Sequence, residues 1–387
     1  MTRFRLVAVL MSIMAIGTVQ PYAVAVLASD LIEALGINRF QIGLLAMANA
    51  LVGGLASRPM GGVADALGGK RLSLMLFGLA ALGLTLIGGA TGFGIAIVGA
   101  AVSGVASASS NPAANKLITH LIVPDRRGVI TGLKQSGVQL GNSMSGALLP
   151  AVAGLWNWRV AFMLVAATAL GLAVLTLFSV DRDPGDGRRD RRADHAPLPV
   201  DVRWLALYGL LMGAGIGAAG TFIPLFTQEA LGFSERAAGL VAATAAATAF
   251  GARILFGRLT QSVDHFAPAH GALAAAGVIA AALLALAPTV GNWLVWVGAV
   301  GMGLSFMAWN SVTNLAAMAV VEPGQAGRAT GLAQAGFLTG LGVSPPVFGS
   351  FIDAGGSYPT AFLAIGGLAA VAGLTTIGWF RTSAPGS

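Results

Sequence analysis

Apolar runs of roughly 20 residues recur from one end of this chain to the other. Each is long enough to cross a hydrocarbon layer about 30 Å thick. The remaining residues cannot clothe a water-facing surface. Only 10% of the 387 residues are charged and 56% are hydrophobic, against about 25% charged in a soluble domain. The sequence therefore predicts an all-α polytopic membrane protein. Twelve transmembrane helices are expected at 6–28, 39–59, 72–92, 95–118, 128–150, 159–180, 203–225, 236–257, 269–288, 291–315, 328–351 and 358–380.

The net charge of +7 raises nucleic acid as a partner, but the distribution excludes it. Basic residues sit in short loops, not in a stripe with interleaved aromatics. With both termini cytoplasmic, Arg3, Arg5, Lys70, Arg71, Arg126, Arg127, Arg258, Arg328 and Arg381 fall on one side. Only Arg39, Arg159 and Arg236 fall on the other, which is the positive-inside pattern. Trp156 and Trp158 lie at an expected outer boundary. The chain has no cysteine, so disulfides and thiolate metal sites are excluded. Its N-terminus has a basic start and an apolar stretch longer than a signal peptide's core, so it is read as a first span. The compact loops suggest the plasma (bacterial inner) membrane.

The strongly polar segment is "DRDPGDGRRDRRADHAPLPVD", Asp181 to Asp201. Dense mixed charge with Gly and Pro cannot build a core. The expected organisation is a six-helix bundle at 1–180, a cytoplasmic linker at 181–202 and a second six-helix bundle at 203–387. The linker arginines could also touch lipid or a partner. Internal similarity supports two pseudo-symmetric halves. "SSNPAANKL" precedes "GVITGLKQSGVQLG" in the first, and "MAWNSVTNL" precedes "GRATGLAQAGFLTG" in the second. Asn111 and Asn115 match Asn310 and Asn314 at a constant offset, as do Gly132 and Gly331, Gln135 and Gln334, Gly137 and Gly336, and Gly141 and Gly340. "LGINRFQIG" likewise resembles "LGFSERAAG". Transporters built from parallel repeats show such duplication, with the solute site near mid-membrane between the halves.

These residues resemble the major facilitator superfamily. The sharpest match is "GGVADALGGKR" between the second and third spans, where Gly61, Asp65, Gly68, Lys70 and Arg71 fit the family's loop motif. Gly69 stands at a position often basic. The counterpart after the eighth span, "GRLTQSVDHF", has Gln261 in place of the aspartate, and "WRVAF" resembles the family's start of the sixth span. The resemblance implies that the loop is a conformational latch, with Asp65 meeting a helix N-terminus or a cation from a neighbouring helix. Read without the resemblance, Asp65 caps the third helix and the basic pair sets topology.

No carboxylate pair, histidine cluster, nucleophile constellation or Walker sequence falls in a span, so neither an enzyme nor direct ATP-driven transport is indicated, and no cofactor or metal is expected. Asp30, Glu33, Glu229, Glu235 and Asp353 fall at outer ends, His120, His265 and His270 near cytoplasmic ends, and His195 in the linker. Lys134 is the exception, about 10 Å into the fifth span. An ionisable group there points to a functional site, unless its stem carries the amine back to the surface. Gln135, Gln139 and Asn142 share one face at i, i+4 and i+7 and would meet either substrate or a neighbouring helix. Asn111 and Asn310, with Asn115 and Asn314, read as substrate contacts or as pseudo-symmetric helix packing, and Gly137, Gly141, Gly336 and Gly340 read as packing positions. Gln334, Gln20 and Tyr22 complete the substrate-binding candidates, with Pro21 and Pro224 as kinks. Arg58 and Arg253 are assigned to the cytoplasmic gate, or alternatively to an anion-lining role.

The buried charge is a cation with amides around it and no buried acid. That suits a small organic or inorganic anion. The chain also lacks the first-span acid, the fourth-span arginine and the fifth-span Gly-Pro pair of many family members that move protons or drugs. The leading reading is a secondary active or facilitative transporter of an anion, working by alternating access. The alternatives are efflux of a neutral or amphiphilic compound through an adaptable Met-containing cavity and a non-transporting membrane sensor. Partners are a small-molecule substrate, membrane lipid and a coupling proton or counter-ion, with a monomeric chain and no nucleic acid.

Overall fold

The structure is a computed structural model that describes residues 3–123, 127–180, 198–259, 266–321 and 326–383. The expected linker up to residue 197, with His195, and the positions of Arg126, Gln261 and His265 lie outside the described residues. So do the side chains of Arg3, Arg58, Arg127, Arg258, Asn314, Arg328 and Arg381.

Among the described residues there are fourteen helices and no strand. In chain order they are α1 (Arg3–Val26), α2 (Ala28–Leu35), α3 (Arg39–Leu67), α4 (Gly69–Gly88), α5 (Phe93–Leu121), α6 (Arg127–Leu155) and α7 (Trp158–Ser179). The second set is α8 (Val200–Glu229), α9 (Glu235–Leu259), α10 (Ala267–Val290), α11 (Trp293–Leu304), α12 (Trp309–Ala319), α13 (Ala326–Asp353) and α14 (Tyr358–Ser383). Eleven segments of described residues, one of them joining α11 and α12, are long and apolar enough to cross a membrane. The remaining expected span, α6, is a continuous 29-residue helix. It falls short of that standard because Lys134, Gln135, Gln139 and Asn142 dilute its apolar content.

Sequence explains the helix starts and stops. Asn38 caps α3 in a reciprocal box: its side chain accepts from the Gln41 amide at 2.9 Å, and its own amide donates to Gln41 Oε1 at 3.0 Å. Asn157 caps α7 by accepting from the Val160 amide at 3.0 Å. Gly68 joins α3 to α4 at φ 83°, a conformation that favours glycine.

Two expected spans are interrupted. The first ends at Val26 and α2 follows, although the sequence predicted one helix to residue 28. The tenth, predicted as 291–315, breaks at 305–308 between α11 and α12. No proline causes that break. The Phe306 ring fills the space beside Gly215 and Gly277, and Ser305 Oγ donates to the Leu273 carbonyl at 2.6 Å.

By backbone proximity the chain divides into two compact units. One is Met1–Arg189 with Ser234–Ala243, and the other is Asp190–Phe233 with Thr244–Ser387. In the first, α1 packs on α6, α4 on α5 and α7, and α3 on α5. In the second, α8 packs on α13, and α10 on α11 and α14. Many large apolar side chains face outward, among them Leu164, Leu170, Val174 and Phe178 on α7. Polar side chains such as Gln20, Lys134, Gln139 and Asn142 are buried. A bilayer, whose interior is as apolar as those outward side chains, is the solvent that this inversion fits.

Candidate functional site

Lys134 lies buried in the first unit. Its side chain is 1% exposed. The ammonium donates to Asn111 Oδ1 at 3.0 Å and to Asn115 Oδ1, both on α5. The amine therefore turns inward to α5 instead of reaching for the surface. A lysine ammonium has three donors and no acceptor, so it orients both asparagine amides with their oxygens toward it. Their NH₂ groups remain as donors on two exposed side chains. The third ammonium donor has no acceptor among the described residues. Gln135, half-buried, donates from Nε2 to Asn111 Oδ1 at 3.5 Å. Asn115, read above as a substrate contact or a packing position, is thus an acceptor of the lysine.

Close helix approaches hold this arrangement. A Cβ on Gly137 would strike the Met11 backbone of α1, and one on Gly141 would lie 2.9 Å from Ala15 Cβ. Gly336 and Gly340 stand against the Ala206 and Leu210 carbonyls of α8 in the same way. The repeat is therefore a repeat of backbone contact. Its side chains differ, since Lys134 corresponds to Ala333.

Other candidates separate. Gln20 and Gln139 are buried, and neither their side-chain nitrogen nor their oxygen has a partner among the described residues. Asn142 is in the same condition, and so is the amide nitrogen of Asn49 on α3, which sequence reasoning did not single out. Tyr22 and Asn310 are half-buried, and Gln334 is exposed. Among the described residues, no group of three or more His, Asp or Glu could hold a metal ion.

The loop motif assembles around Asp65, whose carboxylate meets Lys116 Nζ of α5 at 3.2 Å. Lys116 went unnoticed in the sequence because its partner is 51 residues away. Gly69 has no room for a basic side chain: a Cβ there would lie 2.7 Å from the Ala113 carbonyl. Lys70 donates to the Leu177 carbonyl at 2.8 Å, Arg71 is exposed, and Gly61 has open space beside it. Arg253 donates from Nε to the Met307 carbonyl at 2.9 Å, at the break between α11 and α12. Arg159 donates to the Gly88 and Ala90 carbonyls at 2.9 and 2.8 Å and lies over the Trp158 ring. His270 is fully buried, with Nε2 2.8 Å from Thr313 Oγ1, and its carbonyl accepts from the Tyr208 hydroxyl at 2.8 Å.

Known proteins place this architecture. The chain is 25% identical over 405 residues to the probable sulfoacetate transporter SauU of Cupriavidus necator, covering 97% of this chain and 93% of that one. It is 26% identical over 166 residues to the hexuronate transporter of Bacillus subtilis, covering 42% of this chain and 38% of the relative. Its fold matches a crystal structure of a bacterial homologue of the human lysosomal transporter Spinster. The TM-score is 0.82 at 18% identity, over 98% of this chain and 97% of that one. The sequence profile of the Major Facilitator Superfamily matches residues 6–333. The chain belongs to the Major Facilitator Superfamily: it is an integral membrane transporter of a small solute, and not an enzyme.

Proposed function

We propose that the solute is a small organic or inorganic anion, moved by alternating access in a secondary active or facilitative mode. The observation that carries this reading is Lys134, a buried ammonium held by two neutral amides, with no carboxylate bonded to it among the described residues. A buried charge without a counter-ion is costly. An anion at the exposed amides of Asn111 and Asn115 would offset that cost and use the third ammonium donor. SauU and the hexuronate transporter are named for organic anions, which favours the same class. The distribution of Lys and Arg supports a plasma-membrane protein with cytoplasmic termini. The Asp65–Lys116 pair, with Gly68, Lys70 and Arg71, supports a latch on the cytoplasmic side. In the second unit, the Arg253 bond to the Met307 carbonyl supports a gate role for that arginine.

A thermal-shift panel on purified protein tests the reading. Sulfoacetate, glucuronate, neutral sugars and cationic amphiphiles would each be added to wild type and to Lys134→Met. A ligand selective for the folded state raises the melting temperature by mass action. The expected result is stabilisation of wild type by an anion and its loss in Lys134→Met. Equal stabilisation of both proteins by amphiphiles, with no response to anions, would instead favour efflux of an amphiphilic compound. In the second unit Tyr208, Trp309 and Phe337 pack edge to face, and this aromatic character favours that second reading.

A further inference from the structure

The first unit holds buried amides with no partner among the described residues. Gln20, Gln139 and Asn142 offer both donor and acceptor with no partner among the described residues, and Asn49 offers its donor. An orphaned buried polar group costs about 1–3 kcal/mol. Four of them in one bundle call for a reason other than folding.

The second repeat shows that the fold does not need them. Gly137 and Gly336 meet Met11 and Ala206, and Gly141 and Gly340 meet Ala15 and Leu210. That register matches Gln20 with Gly215, and Gln139 and Asn142 with Leu338 and Leu341. Gly104 and Gly303 meet the carbonyls of Asn49 and Ala245 in the same way, which matches Asn49 with Ala245. Each of these four amides, like Lys134 itself, has an apolar or glycine counterpart. The bundle can be built without amides at these places, and only one repeat has them.

Their placement follows α5. Asn111 and Asn115 hold Lys134, Ser110 faces Gly17 one turn before Gln20, and Gly104 faces Asn49. From Asn115 to Gly104 the helix rises about 16 Å. Gln139 and Asn142 lie about 7 and 12 Å beyond Lys134 along α6. Along the helix axes these positions therefore span more than the length of a two-carbon solute. Other described cations of this unit are engaged elsewhere: Lys116 with Asp65, Lys70 with the Leu177 carbonyl, and Arg159 with two carbonyls. Among the described residues, no second cation bonds to Lys134, Asn111 or Asn115. An amide both donates and accepts, as a hydroxyl group requires.

We infer that Gln20, Asn49, Gln139 and Asn142 form a hydroxyl-binding subsite continuing from Lys134. The solute is then a monoanion bearing several hydroxyl groups, a sugar acid, in preference to a short doubly charged anion. This rests on the anion reading of Lys134 and adds the shape and charge of the solute to it.

The test uses the purified full-length protein with sodium gluconate, glucuronate, acetate and sulfoacetate as probes. Asn142→Leu, Gln139→Leu and Asn49→Ala install the residues of the second repeat. Apparent affinity is read from the melting temperature against solute concentration. Gluconate or glucuronate should bind wild type more tightly than acetate or sulfoacetate. Each substitution should weaken the sugar acid about tenfold and leave the response to acetate unchanged. Should Asn142→Leu not fold, Asn142→Ser, which keeps a hydroxyl, is expected to retain part of the affinity. If sulfoacetate binds as tightly as gluconate and the substitutions change neither, the subsite is refuted while the anion reading stands. If no anion stabilises wild type, both fail together.

Discussion

Helices α5 and α6 of the first repeat and α11 to α13 of the second descend from one pattern, yet they use their cations differently. In the first, α5 runs unbroken through Pro112, and Lys134 of α6 binds two of its side-chain amides. In the second, the equivalent of α5 is broken at 305–308, Ala333 replaces the lysine, and Arg253 binds the backbone carbonyl of Met307 at the break. Glycines fix the helix contacts in both repeats. Duplication has preserved backbone packing, where a single Cβ is prohibitive, and released side-chain chemistry, where the bundle tolerates amide or alkyl.

The comparison is broken most severely by filling the shared contacts. Gly137→Val and Gly336→Val both drive a side chain into backbone, and over-packing of this kind costs about 1–3 kcal/mol or more. Folded yield and melting temperature should fall for both, by similar amounts. A loss in only one would show that the repeats do not share this constraint. Arg253→Met leaves the Met307 carbonyl short of its donor at the break and should lower stability by about 1–3 kcal/mol, read as a melting shift without solute. An unchanged melting point would mean that the break holds without the arginine. Asp65→Asn should change stability by less than about 1 kcal/mol, because its side chain is 41% exposed and Lys116 17%. It should still alter flux if the pair acts as a latch, and unchanged flux would reduce the pair to a surface contact.

The smallest effect concerns Asp30 on α2. Burial raises its carboxyl above the ordinary 3.8, a hydrogen bond with Glu235 opposes the rise, and the charge of Glu33 adds to it. The folded state thus holds this proton more tightly than the unfolded chain. Its contribution to stability is fully present below pH 3.8 and is lost as pH rises through the raised value. Asp30→Asn should flatten that part of a melting-temperature profile, and an identical profile would show that Asp30 does not set it.

Much of this was legible in the sequence because the bilayer imposes strong rules. Span length and polarity located the helices, and the loop motif and repeat located the family. Lys134 stood out because an ionisable group in an apolar helix is rare. Where tertiary contacts decide, the sequence was silent. Lys116 lies near the expected end of a span with nothing local to reveal Asp65. Asn49 is a single amide in an apolar stretch, without the i+4 companion that drew notice to Gln135 and Gln139. The stretch "GMGLSFMAWN" has no proline to announce the break at 305–308. That break depends on space beside Gly215 and Gly277 and on Arg253, from other helices.

The most direct measurement is uptake of a radiolabelled sugar acid into proteoliposomes holding wild type, Lys134→Ala or Lys134→Arg. The account predicts anion flux in wild type, a loss of about a hundredfold in Lys134→Ala, which gives the first repeat the residue of the second, and partial retention in Lys134→Arg. Folded Lys134→Ala protein with wild-type flux would contradict it, because the buried ammonium would then play no part in holding the solute.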